Sequence, residues 1–238
     1  MIKIENVEVT GWEHAIRGMR NPMNSWDKSD SYYGCCESLN CDTCAWCDDG
    51  LSQQYYVGDN DLSLMKKLRN AGTDHRKFMR MITVYLDITA PLYWWKEFDT
   101  YKVGTVANSC STMHKIQDKE FTLDDFSCEH LINTPIYVHD GLDMAEDRVI
   151  PDNVLNDTVE LLNVCRRLYN ATGDKSYWWQ MIQLLPSSYN QKRTVMLNYE
   201  VLANMYKSRK NHKLDEWVEF CEWIKSLPYA ELITGGDE

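Results

Sequence analysis

Five of the nine cysteines lie close together, in the pattern CC-x4-C-x2-C-x2-C over residues 35–47. Thiolates that are two residues apart can hold one metal ion through a tight turn. The spacing therefore predicts a zinc or iron–sulfur site with the ligands Cys36, Cys41, Cys44 and Cys47. No CxxC or HxxxH pair follows along the chain, so a loop of free thiols stays open as the alternative.

Two short segments are strongly basic. Residues 66–80 hold six Lys or Arg and one acid, and residues 192–213 hold six Lys or Arg and the single acid Glu200. Such clusters favour a multiply charged anion if the two segments converge on one pocket. The alternative is a pair of solvated helix faces that find acidic partners elsewhere in the chain.

Asn198, Asn204 and Arg209 fall on one predicted helix. At about 100° per residue, Arg209 lies on the same helical face as Asn198. Amide and guanidinium groups on an otherwise buried face need partners, because unpaired buried polar groups are costly. A flavin ring or a pyrimidine, with alternating donors and acceptors, can supply these partners, and so can neighbouring backbone.

Composition excludes several functional classes. The 238 residues include 25 Lys and Arg against 36 Asp and Glu, which gives a formal net charge of −11. This charge repels nucleic-acid phosphate, so we expect no nucleic-acid partner. No apolar run approaches the roughly 18–20 residues of a membrane span, and the N-terminal stretch lacks the apolar core of a secretion signal. We therefore expect a cytoplasmic protein with no membrane partner, in which the cysteines stay reduced.

The periodicity of apolar residues predicts an α+β protein in which helices dominate. We expect one domain over residues 1–238, with a Cys-rich loop or small insertion at about residues 30–58. Strands are predicted at residues 2–9 and 77–89. Helices are predicted at residues 11–20, from Asp59-Asn60-Asp61 to Gly72, and at residues 92–102, 121–131, 151–170, 175–184, 189–209 and 213–226. Residues 103–115 suit a phosphate-handling loop or a closely packed helix.

Three blocks together resemble the flavin-dependent thymidylate synthases, the ThyX family. Residues 62–80, ending GTDHRKFMR, are similar to its helix followed by a Gly-His…Phe-Glu-His segment. Residues 90–102, APLYWWKEFDTYK, align without a gap to its Ala-Pro…Gln-aromatic-aromatic-Arg-His-Arg stretch. Residues 185–209 align without a gap to its Leu-Pro…Tyr…Asn-Ala-Arg-Ser-Leu…Arg helix, with identity at Leu185, Pro186, Tyr189, Asn198, Leu202, Asn204 and Arg209.

The resemblance implies a helix-dominated fold with a small antiparallel sheet and long C-terminal helices. It also implies a homotetramer that binds FAD between subunits and converts dUMP to dTMP, with methylenetetrahydrofolate as carbon donor and NADPH as reductant. It assigns flavin binding to His75, Lys102, Asn198 and Asn204. It assigns binding of the small-molecule nucleotide to Glu97, Asn108 and Arg209.

Cys110 and Ser111 are the candidate catalytic residues. Thiolate attack on pyrimidine C6 is known chemistry for other thymidylate synthases. A thiol becomes active when a cation such as Lys102 or His114, or a helix N-terminus, lowers its pKa. The alternative is that Cys110 is a small residue chosen for close packing.

The chain departs from the family pattern where the family holds its nucleotide. The Arg-His-Arg-x7-Ser signature becomes Thr100-Tyr101-Lys102-x7-Cys110, and two arginines that contact the nucleotide are replaced by Thr112 and Ile182. Glu200 inverts one charge. The leading hypothesis is a divergent enzyme of this type that acts at C5 of a pyrimidine nucleotide. The alternative is a non-catalytic oligomeric binding or scaffold protein that has lost dUMP binding, with or without the loss of FAD binding.

Overall fold

The computed structural model describes residues 2–34, 54–138 and 147–236. The first half of the chain contains β1 (Lys3–Thr10), α1 (Trp12–Arg20), β2 (Tyr32–Gly34), β3 (Gln54–Tyr56), α2 (Asp59–Asn70), β4 (Thr83–Pro91), α3 (Leu92–Phe98) and β5 (Val106–Ser109). The second half contains β6 (Ile136–Val138), β7 (Asp147–Val149), α4 (Pro151–Thr172), α5 (Lys175–Leu184), β8 (Asn190–Asn198), α6 (Tyr199–Arg209), α7 (Asp215–Lys225) and α8 (Glu231–Thr234). Short 3₁₀ helices lie at Asn21–Met23, Trp26–Lys28, Arg76–Arg80 and Leu123–Asp125.

Four strands form a sheet in the order β1-β4-β8-β5. Two antiparallel hairpins accompany it: β2 pairs with β3, so that Tyr32 lies opposite Tyr56, and β6 pairs with β7, so that Ile136 lies opposite Val149. The predicted α+β class, dominated by helices and with a small antiparallel sheet, is confirmed. Among the described residues, no helix is both long and apolar enough to cross a bilayer.

The chain folds into two compact units. Unit 1 contains the described residues within 1–4, 87–100 and 108–194. Unit 2 contains those within 5–86, 101–107 and 195–238. Strands β1, β4, β5 and β8 each have residues in both units. The expectation of a single domain with a Cys-rich insertion stays a prediction.

The core of unit 1 joins α4 and α5 to the segment that precedes β6. The buried residues of α4 recur at helical spacing, at Leu155, Val159, Leu162 and Cys165. Packed with them are Ile116, Phe121, Phe126 and Met181. Asn163 holds the segment in place, because its side-chain amide accepts from the Phe121 N–H at 2.9 Å and donates to the Phe121 carbonyl at 2.8 Å.

In unit 2, helix α6 packs against α7, α8 and the 3₁₀ helix Arg76–Arg80. Leu202 and Met205 of α6 are fully buried, as is Trp217 of α7. The buried Tyr199 hydroxyl donates to the Pro228 carbonyl at 2.6 Å, so the polar end of this ring is satisfied. The same burial raises the pKa of Tyr199, which stays a neutral donor.

Two helix predictions are wrong. Residues 189–209 are not one helix, because β8 occupies Asn190–Asn198 and only Tyr199–Arg209 is helical. In β8 the buried residues Gln191, Val195 and Leu197 share one face of the strand, which is the period of two that a strand requires. Residues 121–131 contain only a 3₁₀ turn, closed by a capping box between Thr122 and Asp125.

Three other elements differ at their boundaries from the sequence-based prediction. The strand predicted at residues 77–89 begins at Thr83, because a 3₁₀ helix occupies the residues before it. The helix predicted at residues 92–102 ends at Phe98. The segment 103–115 is neither a continuous loop nor a helix, since its middle forms the exposed strand β5.

A buried ion pair joins the end of α1 to the first turn of α2 in unit 2. Arg20 Nε donates to Asp61 Oδ1 at 2.6 Å, and both side chains are at most 5% exposed. Asp61 Oδ2 accepts from the hydroxyls of Ser29 and Ser31 at 2.6 Å and from the N–H groups of Asp30 and Ser31 at 3.2 Å. Burial raises the pKa of Asp61, but these hydrogen bonds outweigh it and hold the pKa below its ordinary value of 3.8.

We expect Asp61→Asn to lower the free energy of unfolding by about 3–5 kcal/mol, because Arg20 would stay buried without its counter-charge. The folded-state pKa of Asp61 lies below 3.8. Its ionised form therefore stabilises the wild type fully above about pH 5, and this contribution is lost as the pH falls through the folded-state pKa. Urea denaturation from about pH 7 down to about pH 3 measures both effects.

The matched control is Asp59→Asn, since Asp59 is an exposed residue in the same helical turn. It should change the free energy of unfolding by less than about 0.5 kcal/mol. A difference between wild type and Asp61→Asn that stays constant as the pH falls would contradict the assignment of the stabilisation to the ionised carboxylate.

Candidate functional site

The predicted site residues lie in both compact units. Unit 2 holds His75, Lys102, Asn198, Asn204 and Arg209. Unit 1 holds Glu97, Asn108, Cys110 and Ser111. The proposed metal ligands Cys36, Cys41, Cys44 and Cys47 lie outside the described residues, so the metal site stays a prediction. In the part of the chain that the structure describes, no three His, Cys, Asp or Glu side chains form a group that could hold a metal.

Asn198 lies at the junction between β8 and α6. It is the N-cap of α6, and its Oδ1 accepts from the Val201 N–H at 3.1 Å. The prediction that Asn198 shares a helical face with Arg209 is therefore wrong. The cap uses the amide oxygen and leaves the Nδ2 donors out of this hydrogen bond. The Nδ2 end lies against Gly104, where φ is +80° and an added Cβ would sit 2.8 Å from Asn198 Nδ2.

Residues of the two basic segments meet at Glu200. The Glu200 side chain is 8% exposed, and its carboxylate accepts from Arg80 Nε at 2.6 Å and from Arg76 Nε at 3.3 Å. Arg76 Nη2 also reaches the Oδ1 of the exposed Asn204 at 3.5 Å. The hydrogen bond to Glu200 raises the pKa of Arg80, which strengthens its hold on the positive charge. The two segments thus meet here, but the second segment contributes the buried acid Glu200 and the first contributes the two arginines.

Other cations of these segments also face acids within their own unit. The distances are 3.1 Å for Lys66–Glu231, 3.1 Å for Lys192–Asp87 and 2.8 Å for Arg193–Asp99. Much of the positive charge that the sequence concentrates is therefore neutralised by residues that lie far away along the chain. At these positions the cations have acidic partners from elsewhere in the chain, which agrees with the alternative interpretation of the basic segments.

Arg209 lies half-buried at the end of α6 between two aromatic rings. Its Nε donates to the Tyr101 hydroxyl at 3.0 Å. Its guanidinium is 4.8 Å from the ring centroid of Trp217 and 5.7 Å from that of Tyr101. A planar guanidinium stacked in this way is held in one orientation, which a lysine could not reproduce.

Cys110 is the exposed one among the four cysteines that the structure describes. Burial raises the pKa of Cys128, Cys165 and Cys221, the last to about 11, so these thiols stay protonated near neutral pH. The backbone N–H of Cys110 donates to the Lys192 carbonyl at 2.9 Å, which fixes the chain at the end of β5. Cys110 is thus the candidate reactive thiol of this part of the chain.

The buried Gln191 fixes the same segment of unit 1 from its other side. Its Nε2 donates to the Cys110 carbonyl at 2.7 Å, its Oε1 accepts from Arg193 Nε at 3.0 Å, and its backbone carbonyl accepts from Trp95 Nε1 at 3.0 Å. The Arg193 guanidinium lies 4.1 Å from the Trp95 ring centroid. Gln191 was not predicted from its residue type, and the period-two pattern of β8 was the signal that could have revealed it.

The remaining predicted residues have a less enclosed setting. Lys102 and Asn108 are exposed, and Glu97 is half-buried. His75 is exposed and lines a mostly apolar cavity of about 430 Å³. The Ser111 hydroxyl accepts two backbone N–H groups of the following turn, at 3.2 and 2.8 Å, so it also stabilises local structure. The functional assignments of these residues stay predictions.

Comparison with solved structures shows which fold this is. The thymidylate synthase ThyX of Helicobacter pylori, determined with FAD and dUMP, superimposes with a TM-score of 0.63 at 15% identity, covering 99% of this chain and 98% of that chain. A second structure of that enzyme gives 0.62 and 15%, covering 97% and 99%. The UMP/dUMP methylase PolB of Streptomyces cacaoi, bound with 5-Br dUMP, gives 0.54 and 12%, covering 95% and 89%.

The chain therefore has a ThyX-like fold, as the resemblance implied. No protein-family model matches the sequence, and no curated protein matches it. At these identities the likeness establishes the fold, and the activity has to be argued from the residues themselves.

We expect Glu200→Gln to lower the free energy of unfolding by about 1–3 kcal/mol, because Arg76 and Arg80 would lose a charge-assisted acceptor that is shielded from water. Thermal and urea denaturation measure the change. The matched control is Glu222→Gln, which breaks the exposed ion pair with Lys225 and should have an effect below about 0.5 kcal/mol. Equal effects of the two substitutions would show that burial of Glu200 contributes nothing to the pair.

Proposed function

We propose that the protein is a divergent flavin-dependent enzyme that transfers a one-carbon unit and a hydride to C5 of a pyrimidine nucleotide, in the manner of dUMP to dTMP. The observation that carries this proposal is the fold likeness, which extends over nearly the whole chain to a thymidylate synthase holding FAD and dUMP. A second relative in fold is a UMP/dUMP methylase, which supports a uracil nucleotide as substrate.

The flavin-binding residues in this proposal are His75, Lys102, Asn198 and Asn204. Asn198 fits the role because its cap to α6 fixes the side chain in one orientation and uses only the amide oxygen, so the Nδ2 donors are not needed for the cap. FAD would supply the hydride. NADPH and methylenetetrahydrofolate are the co-substrates of the proposed reaction, and a homotetramer is its proposed assembly.

The nucleotide-binding residues in the proposal are Glu97, Asn108 and Arg209. Arg209 is supported best, because Tyr101 and Trp217 hold its guanidinium in a defined plane that can donate to the polar edge of a pyrimidine. Cys110 and Ser111 are the proposed catalytic residues. The exposed thiol of Cys110 supports this role, since the other described thiols are held protonated by burial.

A second candidate function is a non-catalytic oligomeric binding or scaffold protein. The observation that favours it is the buried Glu200, which neutralises Arg76 and Arg80 where an anionic ligand would need their charge. The absence of arginine at Thr112 and Ile182 in the sequence points the same way. Loss of two charge-assisted contacts at roughly 1.5–3 kcal/mol each would reduce dUMP affinity by several orders of magnitude.

Flavin binding separates the two candidates. We expect the purified protein to be yellow, to bind FAD in calorimetry, and to release tritium from C5-labelled dUMP when methylenetetrahydrofolate and NADPH are supplied. A colourless protein that binds neither FAD nor dUMP would overturn the enzyme and support the scaffold. If the protein binds FAD and dUMP but releases no tritium, the proposed ligands stand and the proposed reaction is wrong.

We expect Arg209→Lys to weaken dUMP binding by about 10- to 100-fold, because a lysine keeps the charge but loses the stacked, planar set of donors. Calorimetric titration with dUMP measures this change. Lys207→Arg, at an exposed position of the same helix, is the control and should leave the affinity unchanged. Unchanged affinity in Arg209→Lys, with the fold intact by circular dichroism, would remove Arg209 from the nucleotide site.

A further inference from the structure

Unit 2 contains a second concave feature that none of the predicted site residues lines. It is a groove of about 1240 Å³ formed by the end of β1, the start of α1, the hairpin β2–β3, the end of α7 and the segment that follows α7. Its walls are unusually aromatic, with Trp12, Tyr33, Tyr55, Tyr56, Trp223 and Tyr229. We call it the aromatic groove. A groove of this size is large enough to admit a small organic molecule.

The rings of the aromatic groove are held in place by contacts with one another and with backbone. Tyr33 and Tyr55 meet edge to face, with their ring centroids 4.8 Å apart. Trp12 and Tyr229 meet in the same way at 5.0 Å. The Tyr229 hydroxyl accepts from the Val57 N–H at 3.2 Å. The ring faces are therefore arranged before any ligand arrives, which reduces the entropy lost on binding.

The charge of the aromatic groove is negative. Glu8 and Glu13 line it, His14 is the remaining titratable nitrogen, and none of the described lining residues is Lys or Arg. The Tyr33 hydroxyl donates to Glu13 Oε2 at 3.0 Å, so a carboxylate is fixed beside an exposed aromatic ring. Carboxylates attract a cation, and aromatic faces attract it further through their negative quadrupole.

We infer that the aromatic groove binds an organic cation with an apolar surface, of the quaternary-ammonium type. A small hydrated metal ion prefers several oxygen ligands and gains little from rings. An anionic nucleotide is repelled by Glu8 and Glu13. An alkylated ammonium combines a positive charge with apolar surface, and both parts are matched by Glu13 and the rings of Tyr33 and Tyr55. This ligand is therefore distinct from the FAD and dUMP of the proposed function.

Choline and its uncharged isostere 3,3-dimethylbutan-1-ol test the inference directly. The two molecules have the same shape, so any preference for choline reports the charge. We expect choline to bind the full-length protein at least about tenfold more tightly than the alcohol in calorimetric or NMR titration. Equal binding of the two molecules, or no binding of choline, would overturn the inference.

Substitutions locate the binding within the aromatic groove. Glu13→Gln keeps an acceptor for the Tyr33 hydroxyl but removes the charge, and should weaken choline binding by about tenfold. Tyr33→Leu removes a ring face and should weaken it several-fold, whereas Tyr33→Phe keeps the ring and should have a smaller effect. Glu160→Gln removes one exposed carboxylate that does not line the groove and should leave the affinity unchanged.

The choline affinities of these variants also show whether the cation binds in the aromatic groove at all. If Glu13→Gln and Glu160→Gln weaken choline binding equally, the binding reflects the net charge of the protein and the inference fails. If Glu13→Gln proves unstable by thermal denaturation, Glu8→Gln on the exposed part of β1 replaces it. Unchanged choline affinity in a folded Glu8→Gln variant would then overturn the role of the groove carboxylates.

Discussion

The buried contact between Arg20 and Asp61 is the interaction on which much of unit 2 depends. A desolvated carboxylate needs several donors, and Asp61 obtains them by drawing the segment around Ser29 and Ser31 against the start of α2. Ser31 in turn accepts from the Gly58 N–H at 3.0 Å, which joins the chain before β2 to the chain after β3. A stretch with little regular structure is thereby held at a defined position, and the hairpin that begins there forms one wall of the aromatic groove.

The basic segments also depend on contacts between charged groups that lie far apart in the sequence. Counting charges along the sequence located two clusters of cations, and it left two interpretations open: a shared anion site if the clusters converge, or acidic partners elsewhere in the chain. Charge counting could not show that Glu200 would be buried against Arg76 and Arg80, or that Asp87 and Asp99 would meet Lys192 and Arg193 in space. Ion pairs between residues about a hundred positions apart depend on the fold and leave no local pattern. A surplus of charge in a segment is therefore weak evidence for an anion site until the acids that face it are known.

The sequence predicted those elements whose local signals agree with their burial. Helix α5 has the predicted bounds, and β1, α1, α4 and α7 lie within about two residues of theirs. The failure at residues 189–209 arose because Leu202, Met205 and Arg209 do follow a helical period, and that period was extended backwards. Upstream, Val195 and Leu197 obey a period of two instead. Burial against neighbouring strands decides between the two readings, and a single sequence does not contain that information.

For the candidate site, the sequence identified residue types more reliably than their surroundings. It singled out Asn198 and Arg209, but it placed both on one face of a helix. In the structure Asn198 begins the helix and Arg209 ends it against Tyr101 and Trp217. Gln191 escaped notice because a lone glutamine in a polar stretch has no motif. Its importance comes from the three hydrogen bonds that only the folded chain assembles around it.

The direct passage from β8 into α6 has a consequence for how this region can change in evolution. Asn198 ends the strand and caps the helix, so no loop separates the two elements. One inserted residue in the helix would turn everything after it by about 100°, and one in the strand would exchange its buried and exposed faces. Related chains should therefore scarcely vary in length between Asn190 and Arg209, even at positions where their residue types differ.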